Sequence, residues 1–215
     1  MSDFRVKDGD LFIFQGDSIT DCGRRGAAAP FGSGYASMLI EMVTANYPER
    51  NIRYINRGIS GDKTVGLRDR WEDDVIRHQP NWLSILIGIN DLHTYLLNSQ
   101  PCVSVDVYRQ AYDDILRMTR EKTDANIVLL DPFYISIAES GQSFRAKVLE
   151  TIPEYIAVVH EMAAKYDTLH VPMHEIYQKQ LKYRDAETFC PEPVHPNHAG
   201  HIVMANALFE TLTVG

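Results

Sequence analysis

The sequence predicts an α/β protein, a three-layer α/β/α sandwich in which a parallel sheet lies between two layers of helices. Three observations carry this. Short apolar runs recur along the 215 residues and alternate with segments of helical period. Several of these runs stop at a glycine followed by polar residues, as buried parallel strands do where they turn toward a helix. No internal repeat, low-complexity stretch or linker interrupts the pattern, so 1–215 reads as one domain. That is above the usual ~100–150 residues but within reach of a single core.

Leu11 to Phe14 form the first strand, which ends in Gly16-Asp17-Ser18. Residues 21–34, rich in Gly, Ala and Pro, read as a long loop. Tyr35 to Tyr47 predicts a helix, with Tyr35, Met38, Leu39 and Met42 on one face. Ile52 to Ile55 is a short strand, followed by Asn56-Arg57-Gly58-Ile59-Ser60-Gly61. The next helix is expected from about Val65 to His78, where Leu67, Trp71 and Val75 repeat every four residues and Pro80 ends it. Trp82 to Ile87 is the strongest strand, closing in Gly88-Ile89-Asn90-Asp91. Ser104 reads as the N-cap of a helix to about Arg120. Asn126 to Leu130 is a fourth strand, and a helix broken near Pro153 follows over about 143–166. Leu169 to Val171 is a fifth strand, and Met173 to Tyr183 a helix. After a proline-containing loop over 184–196, Asn197 caps a final helix carrying Ile202, Val203, Ala207, Leu208 and Leu212.

Composition narrows the function. With 45% apolar and 23% charged residues the chain is that of an ordinary globular protein, and a formal charge of −8 without a basic cluster argues against a nucleic-acid partner. The three cysteines, Cys22, Cys102 and Cys190, are far apart and form no metal-binding or disulfide pattern. The first ten residues lack an apolar core and carry Asp3, Asp8 and Asp10, so a signal peptide is not expected. No stretch approaches the ~18–20 apolar residues needed to cross a bilayer. The expectation is a cytoplasmic protein with no membrane partner.

In a parallel sheet, turns at the strands' carboxyl ends share one edge, where open α/β sheets bind ligands. Ser18, Gly61 and Asn90 can therefore converge although distant in sequence. A serine needs a base and an oxyanion hole to act as a nucleophile. The last loop supplies both a base and an acid, in Glu192-Pro193-Val194-His195-Pro196. A carboxylate three residues before a histidine can hold the ring nitrogen that faces away from the serine and so set the tautomer.

These four blocks together, in this order, resemble the G-D-S-L or S-G-N-H hydrolase family over nearly the whole chain. The matching residues are Gly16-Asp17-Ser18-Ile19, Asn56 to Gly61, Gly88-Ile89-Asn90-Asp91 and His195-Pro196. The resemblance implies the S-G-N-H hydrolase fold, with a five-stranded parallel sheet in the flavodoxin-like order 2-1-3-4-5. It implies Ser18 as nucleophile, His195 as general base, and Ser18 N–H, Gly61 N–H and the Asn90 side chain as oxyanion hole. The family usually has aspartate where Glu192 stands, and a longer acid still permits a Ser18–His195–Glu192 triad. Asp185 is the other candidate acid. No cofactor is implied.

Gly16 to Arg24, Gly32-Ser33-Gly34-Tyr35, Arg70 to Val75 and Ile87 to Asp91 are further similar to the intracellular bacterial acetylxylan esterases of that family. This implies a short-chain ester as substrate, such as an acetylated xylo-oligosaccharide, and a homo-oligomer. The alternatives are a lysophospholipase or thioesterase of the same fold, and a non-catalytic carbohydrate-binding relative.

Other residues have plainer readings. Asp17 and Asp91 are expected to support their turns by bonding local backbone. Trp71 and Trp82 are expected in the core, and Glu72, Asp73 and Asp74 on a solvated helix face. His195, His198 and His201 are spaced by three, but His195 precedes a proline and no metal-binding motif accompanies them, so no metal site is expected there.

Overall fold

Five of the apolar runs form one parallel sheet, flanked by helices on both sides. The structure, a computed structural model, describes residues 3–137 and 142–214, so Met1 and Ser2 of the N-terminal reading lie outside the described residues. In chain order the elements begin with β1 (Asp3–Phe4), β2 (Leu11–Gly16), α1 (Ser18–Asp21), α2 (Tyr35–Asn46) and β3 (Arg53–Asn56). Then come α3 (Thr64–Asp69), α4 (Trp71–Asp74), a 3-10 turn (Ile76–His78), β4 (Trp82–Leu86), α5 (Ile89–Leu96) and α6 (Val105–Lys122). The remainder is β5 (Asn126–Leu130), α7 (Phe144–Tyr166), β6 (Leu169–Val171), α8 (Met173–Gln180), a 3-10 turn (Ala186–Thr188), α9 (His198–Leu212) and β7 (Thr213–Val214).

The sheet order is β3-β2-β4-β5-β6, which is 2-1-3-4-5 when its own strands are counted along the chain. β2 and β4, with a neighbour on each side and helices over both faces, are buried at every residue. α2 packs on α9, while α6 lies against α3 and α7. Each fully buried Leu, Ile or Phe here contributes roughly 1.5–3 kcal/mol of transfer free energy. Ser104, Ser143 and Asn197 cap α6, α7 and α9 through their side chains, each cap stabilising its helix by about 1 kcal/mol.

Five expectations are corrected. The helix expected over 65–78 is split at Arg70, whose backbone is not helical (φ −110°, ψ 8°). Its guanidinium turns back to bond the Arg57 carbonyl at 2.9 Å, the Asp62 carboxylate at 2.8–2.9 Å, and Asp74. Leu67, Trp71 and Val75 are nevertheless all buried, so periodicity located the face and missed the break. Asp74 consequently faces Arg70 and is largely buried, while Glu72 and Asp73 are exposed.

α7 runs through Pro153 without a break, because Val148 and Ile152 before it and Tyr155, Val158 and Val159 after it are all buried. Packing on both sides outweighs one lost backbone bond. α5 begins within the Gly88–Asp91 turn itself, which read as loop. β1 and β7 form a separate antiparallel pair that brings the two ends of the fold together.

Candidate active site

Ser18, His195 and Glu192 lie in one hydrogen-bonded line at the carboxyl edge of the sheet. β2 ends at Gly16, and Asp17 then caps α1 by accepting the Ile19 N–H at 3.0 Å. This places Ser18 in the first turn of α1, with its Oγ 2.8 Å from His195 Nε2. On the far side of the ring, Nδ1 donates to Glu192 Oε1. Glu192 also accepts the N–H of Val194 at 3.0 Å and of His195 at 2.8 Å. Burial raises the Glu192 carboxyl, but those two amides and the His195 ring outweigh it and hold it below the usual value. Asp185 instead heads the 3-10 turn at 186–188, accepting the Thr188 N–H on its carbonyl.

The segment bearing Gly61 is tied down on both sides. Its neighbour Ser60 donates from both N–H and Oγ to Asp21 of α1, at 3.1 and 3.0 Å. On the other side the Asp62 carbonyl accepts from Asn90 Nδ2 at 3.1 Å. Gly61 has φ +79°, a left-handed backbone that favours glycine, and a Cβ there would meet nothing within 4 Å. Gly88, with φ +136°, turns β4 into α5; a Cβ would come within 2.9 Å of Tyr108 Oη, so the turn also requires glycine for space. The Asn90 carboxamide, next along, reaches Asp17 Oδ2 at 3.4 Å as well.

Asp91 bonds its own backbone N–H, and it also crosses to Thr64 and accepts both its N–H and its hydroxyl, locking the start of α3 to that of α5. Asn56 plays a similar part, donating to the carbonyls of Thr20 at 2.6 Å and Phe31 at 2.8 Å. The bonding roles of Asn56, Asp21 and Thr64 were not foreseen. Asn56 and Asp21 lie within matching blocks, but Thr64 carries no local pattern that marks it.

His93 packs edge-on against Tyr134 and close to Phe144, with ring centroids 6.1 and 5.2 Å away. Burial pushes its pKa down, with Glu192 and His195 acting on it in opposite directions. His201 accepts the Tyr35 N–H on Nδ1 and faces Cys22 Sγ with Nε2, so its ring is committed away from His195. Burial pushes the Cys22 thiol up to about 11, which keeps it protonated at neutral pH. Trp71 is buried and donates to Thr119 at 2.9 Å, and Trp82 is buried at the start of the central strand β4, as core residues.

Burial pushes the Asp17 carboxyl up to about 7; the Ile19 N–H opposes this, while Asp91 and Asp62 add to it. An unfolded aspartate titrates near 3.9. Between the two values the folded chain holds a proton that the unfolded chain has lost, so stability falls as pH rises from about 4 to 7. Asp17→Asn, which keeps the cap, should remove this part of the slope. Urea unfolding at pH 5 and pH 8 should show the variant losing less stability than wild type over that interval, by on the order of a few kcal/mol. Equal slopes would mean that Asp17 is ionised in the fold.

A hydroxyl, an imidazole and a carboxylate in line, beside glycine turns and a carboxamide on the edge of a parallel sheet, make up the arrangement of a serine hydrolase. The GDSL-like Lipase/Acylhydrolase family model matches residues 14–203, and the chain belongs to that family. It is a carboxylic ester hydrolase. It is 33% identical to an acetylxylan esterase of Geobacillus stearothermophilus, across 97% of this chain and 96% of that one. The crystal structure of that enzyme, Axe2, superposes with a TM-score of 0.87 over the same shares of the two chains. Further Axe2 structures are of catalytic mutants replacing a serine, an aspartate and a histidine, the last two three positions apart. LAE5, an alpha/beta hydrolase enzyme from the metagenome of Lake Arreo, Spain, is 27% identical, covers 98% of each chain and gives a TM-score of 0.87.

Proposed function

We propose that the protein removes acetyl groups from short acetylated xylan fragments through an acyl-serine intermediate, within one domain spanning 1–215. The observation that carries the mechanism is the 2.8 Å contact from Ser18 Oγ to a ring whose other nitrogen is held by Glu192. His195 Nε2 takes the Ser18 proton as Oγ attacks the ester carbonyl carbon. The oxyanion rests on Ser18 N–H, Gly61 N–H and Asn90 Nδ2, each such donor contributing roughly a hundred- to a thousandfold in rate. The tetrahedral intermediate collapses with the sugar hydroxyl leaving, protonated by His195. Water, deprotonated by His195, then attacks the acetyl-serine and releases acetate.

The choice of acetylated xylo-oligosaccharide is supported by the likeness to the Geobacillus acetylxylan esterase. A cytoplasmic location and assembly as a homo-oligomer rest on the resemblance to the intracellular esterases. Among the described residues no helix is long and apolar enough to cross a membrane.

The test is a kcat/KM series on p-nitrophenyl acetate, butyrate and octanoate, together with acetate release from acetylated xylo-oligosaccharides. Activity falling with acyl length, together with release from the sugar, is the expected result. A preference for octanoate would move the substrate to lipid esters or thioesters.

A further inference from the structure

Away from the serine, two histidines converge on one buried carboxylate. Asp131 follows β5 directly and is 2% exposed at its side chain. His170 of β6 approaches its Oδ1 with Nε2 at 2.7 Å, and His160 of α7 approaches the same oxygen at 3.3 Å. The ligating atoms of the three residues all lie within 4.8 Å of one another. Among the described residues, no lysine or arginine pairs with this carboxylate; its ion-pair partners are these two histidines. A buried carboxylate needs such compensation. One imidazole would suffice for a hydrogen bond. Two rings aimed at the same oxygen form instead a converging set of nitrogen and oxygen ligand atoms.

We propose that Asp131, His160 and His170 form a site for a divalent transition-metal ion of the zinc class. Imidazole nitrogens and a carboxylate oxygen are zinc donors at ~2.0–2.2 Å, and ligands at tetrahedral angles around such an ion lie about 3.3–3.5 Å apart. The His160–Asp131 separation of 3.3 Å already has that value. The His170–Asp131 contact opens by some tenths of an ångström to reach it, and the proton between Nε2 and the carboxylate leaves Nε2, to Nδ1 or to solvent, as the nitrogen takes the metal.

His174 does not join the set. Its Nδ1 accepts the Tyr134 N–H at 3.3 Å, so in the neutral ring the proton sits on Nε2. A cavity of about 340 Å³, lined by Asp131, His160, His174 and Glu175 among others, opens beside the site. It supplies an entry path and room for water as a further ligand.

The ion would tie three elements together at the edge of the sheet, where, among the described residues, β6 has a strand neighbour only in β5. It would also anchor the start of the segment 131–135, whose Ile135 N–H donates to Pro193 O at 2.8 Å, next to Glu192. The role this gives the metal is a clamp, separate from the ester chemistry.

The experiment uses the full chain, freed of metal with chelator and titrated with zinc chloride by calorimetry, alongside thermal unfolding. The expected result is one ion bound per chain, with Tm raised by about 5–10 °C at a hundredfold excess over Kd. His160→Gln and His170→Gln should each weaken binding by at least about tenfold, since even loss of a residue supporting a ligand costs that much. His195→Ala should bind zinc as wild type does. His160 is half-exposed, so its variant keeps the fold. No binding by wild type, or binding equally tight in both glutamine variants, would overturn the proposal, as would loss confined to His195→Ala.

Discussion

Ser18→Ala should lower kcat for ester hydrolysis by about five to six orders of magnitude, the loss that removal of a serine nucleophile brings in a well-studied hydrolase. The reason lies in the 2.8 Å contact to His195 Nε2: alanine leaves a correctly placed base with nothing to deprotonate. Because serine and histidine act as a unit, His195→Ala should cost about as much, and the double variant hardly more than either alone. In the proposed mechanism what survives, roughly a thousand- to ten-thousandfold over water, is the contribution of the oxyanion donors and substrate binding. The measurement is kcat on p-nitrophenyl acetate for the two single variants and the double. Fully additive losses would mean that the residues act in separate steps, and near-normal activity in Ser18→Ala would remove it from the mechanism. Ser18 is only half-buried, so Tm should barely move.

Glu192→Ala should cost about ten-thousandfold in kcat, as loss of the acid does in related triads. Glu192 does two things at once. It receives Nδ1–H of His195, which in the proposed mechanism sets the tautomer with Nε2 free to take the Ser18 proton and stabilises the imidazolium that forms. It also gathers the N–H groups of Val194 and His195 into the same carboxylate, which shapes the loop. Its carboxyl is held below the usual range, so it stays ionised throughout the neutral region. Glu192→Gln removes the charge while keeping the size. Its single amide oxygen can replace Oε1, which accepts from His195, but its NH2 cannot accept the Val194 N–H that bonds Oε2, so kcat should fall and the loop should lose one of its two backbone bonds. Asp185→Ala is the control: Asp185 sits at the head of a 3-10 turn, and its loss should leave kcat nearly unchanged. The reverse pattern would transfer the triad acid to Asp185.

In the Geobacillus enzyme a catalytic mutant replaces an aspartate three positions before a histidine that another catalytic mutant replaces, and the residue three before His195 in this chain is Glu192. A side chain one methylene longer still reaches Nδ1 here, because its oxygens are drawn back by the loop's own amides.

How much was legible in the residues depended on distance along the chain. Asn126–Leu130 and Leu169–Val171 read as strands with the bounds they adopt, since a short apolar run between polar residues has few ways to be buried. The Glu192–His195 pair was also readable, because a three-residue span with prolines on both sides limits where the acid can go. Glycine turns after strands located Ser18, Gly61 and Asn90 on one edge for the same local reason.

Other features depend on which strands become neighbours. Asp91 and Thr64 are 27 residues apart, and His170 stands 39 residues from Asp131, yet each pair is in hydrogen-bond contact. The break at Arg70 follows from carbonyl and carboxylate partners presented by Arg57 and Asp62, not from any weakness in the helical period. Pro153 passed through α7 because buried side chains on both sides hold it to one surface. By itself the sequence determined the five strands of the parallel sheet, the glycine turns and the family of the chain, all of which rest on short-range stereochemistry and pattern. Only the tertiary structure decided which distant polar groups meet, because the register of parallel strands, and not the spacing along the chain, brings their ends together.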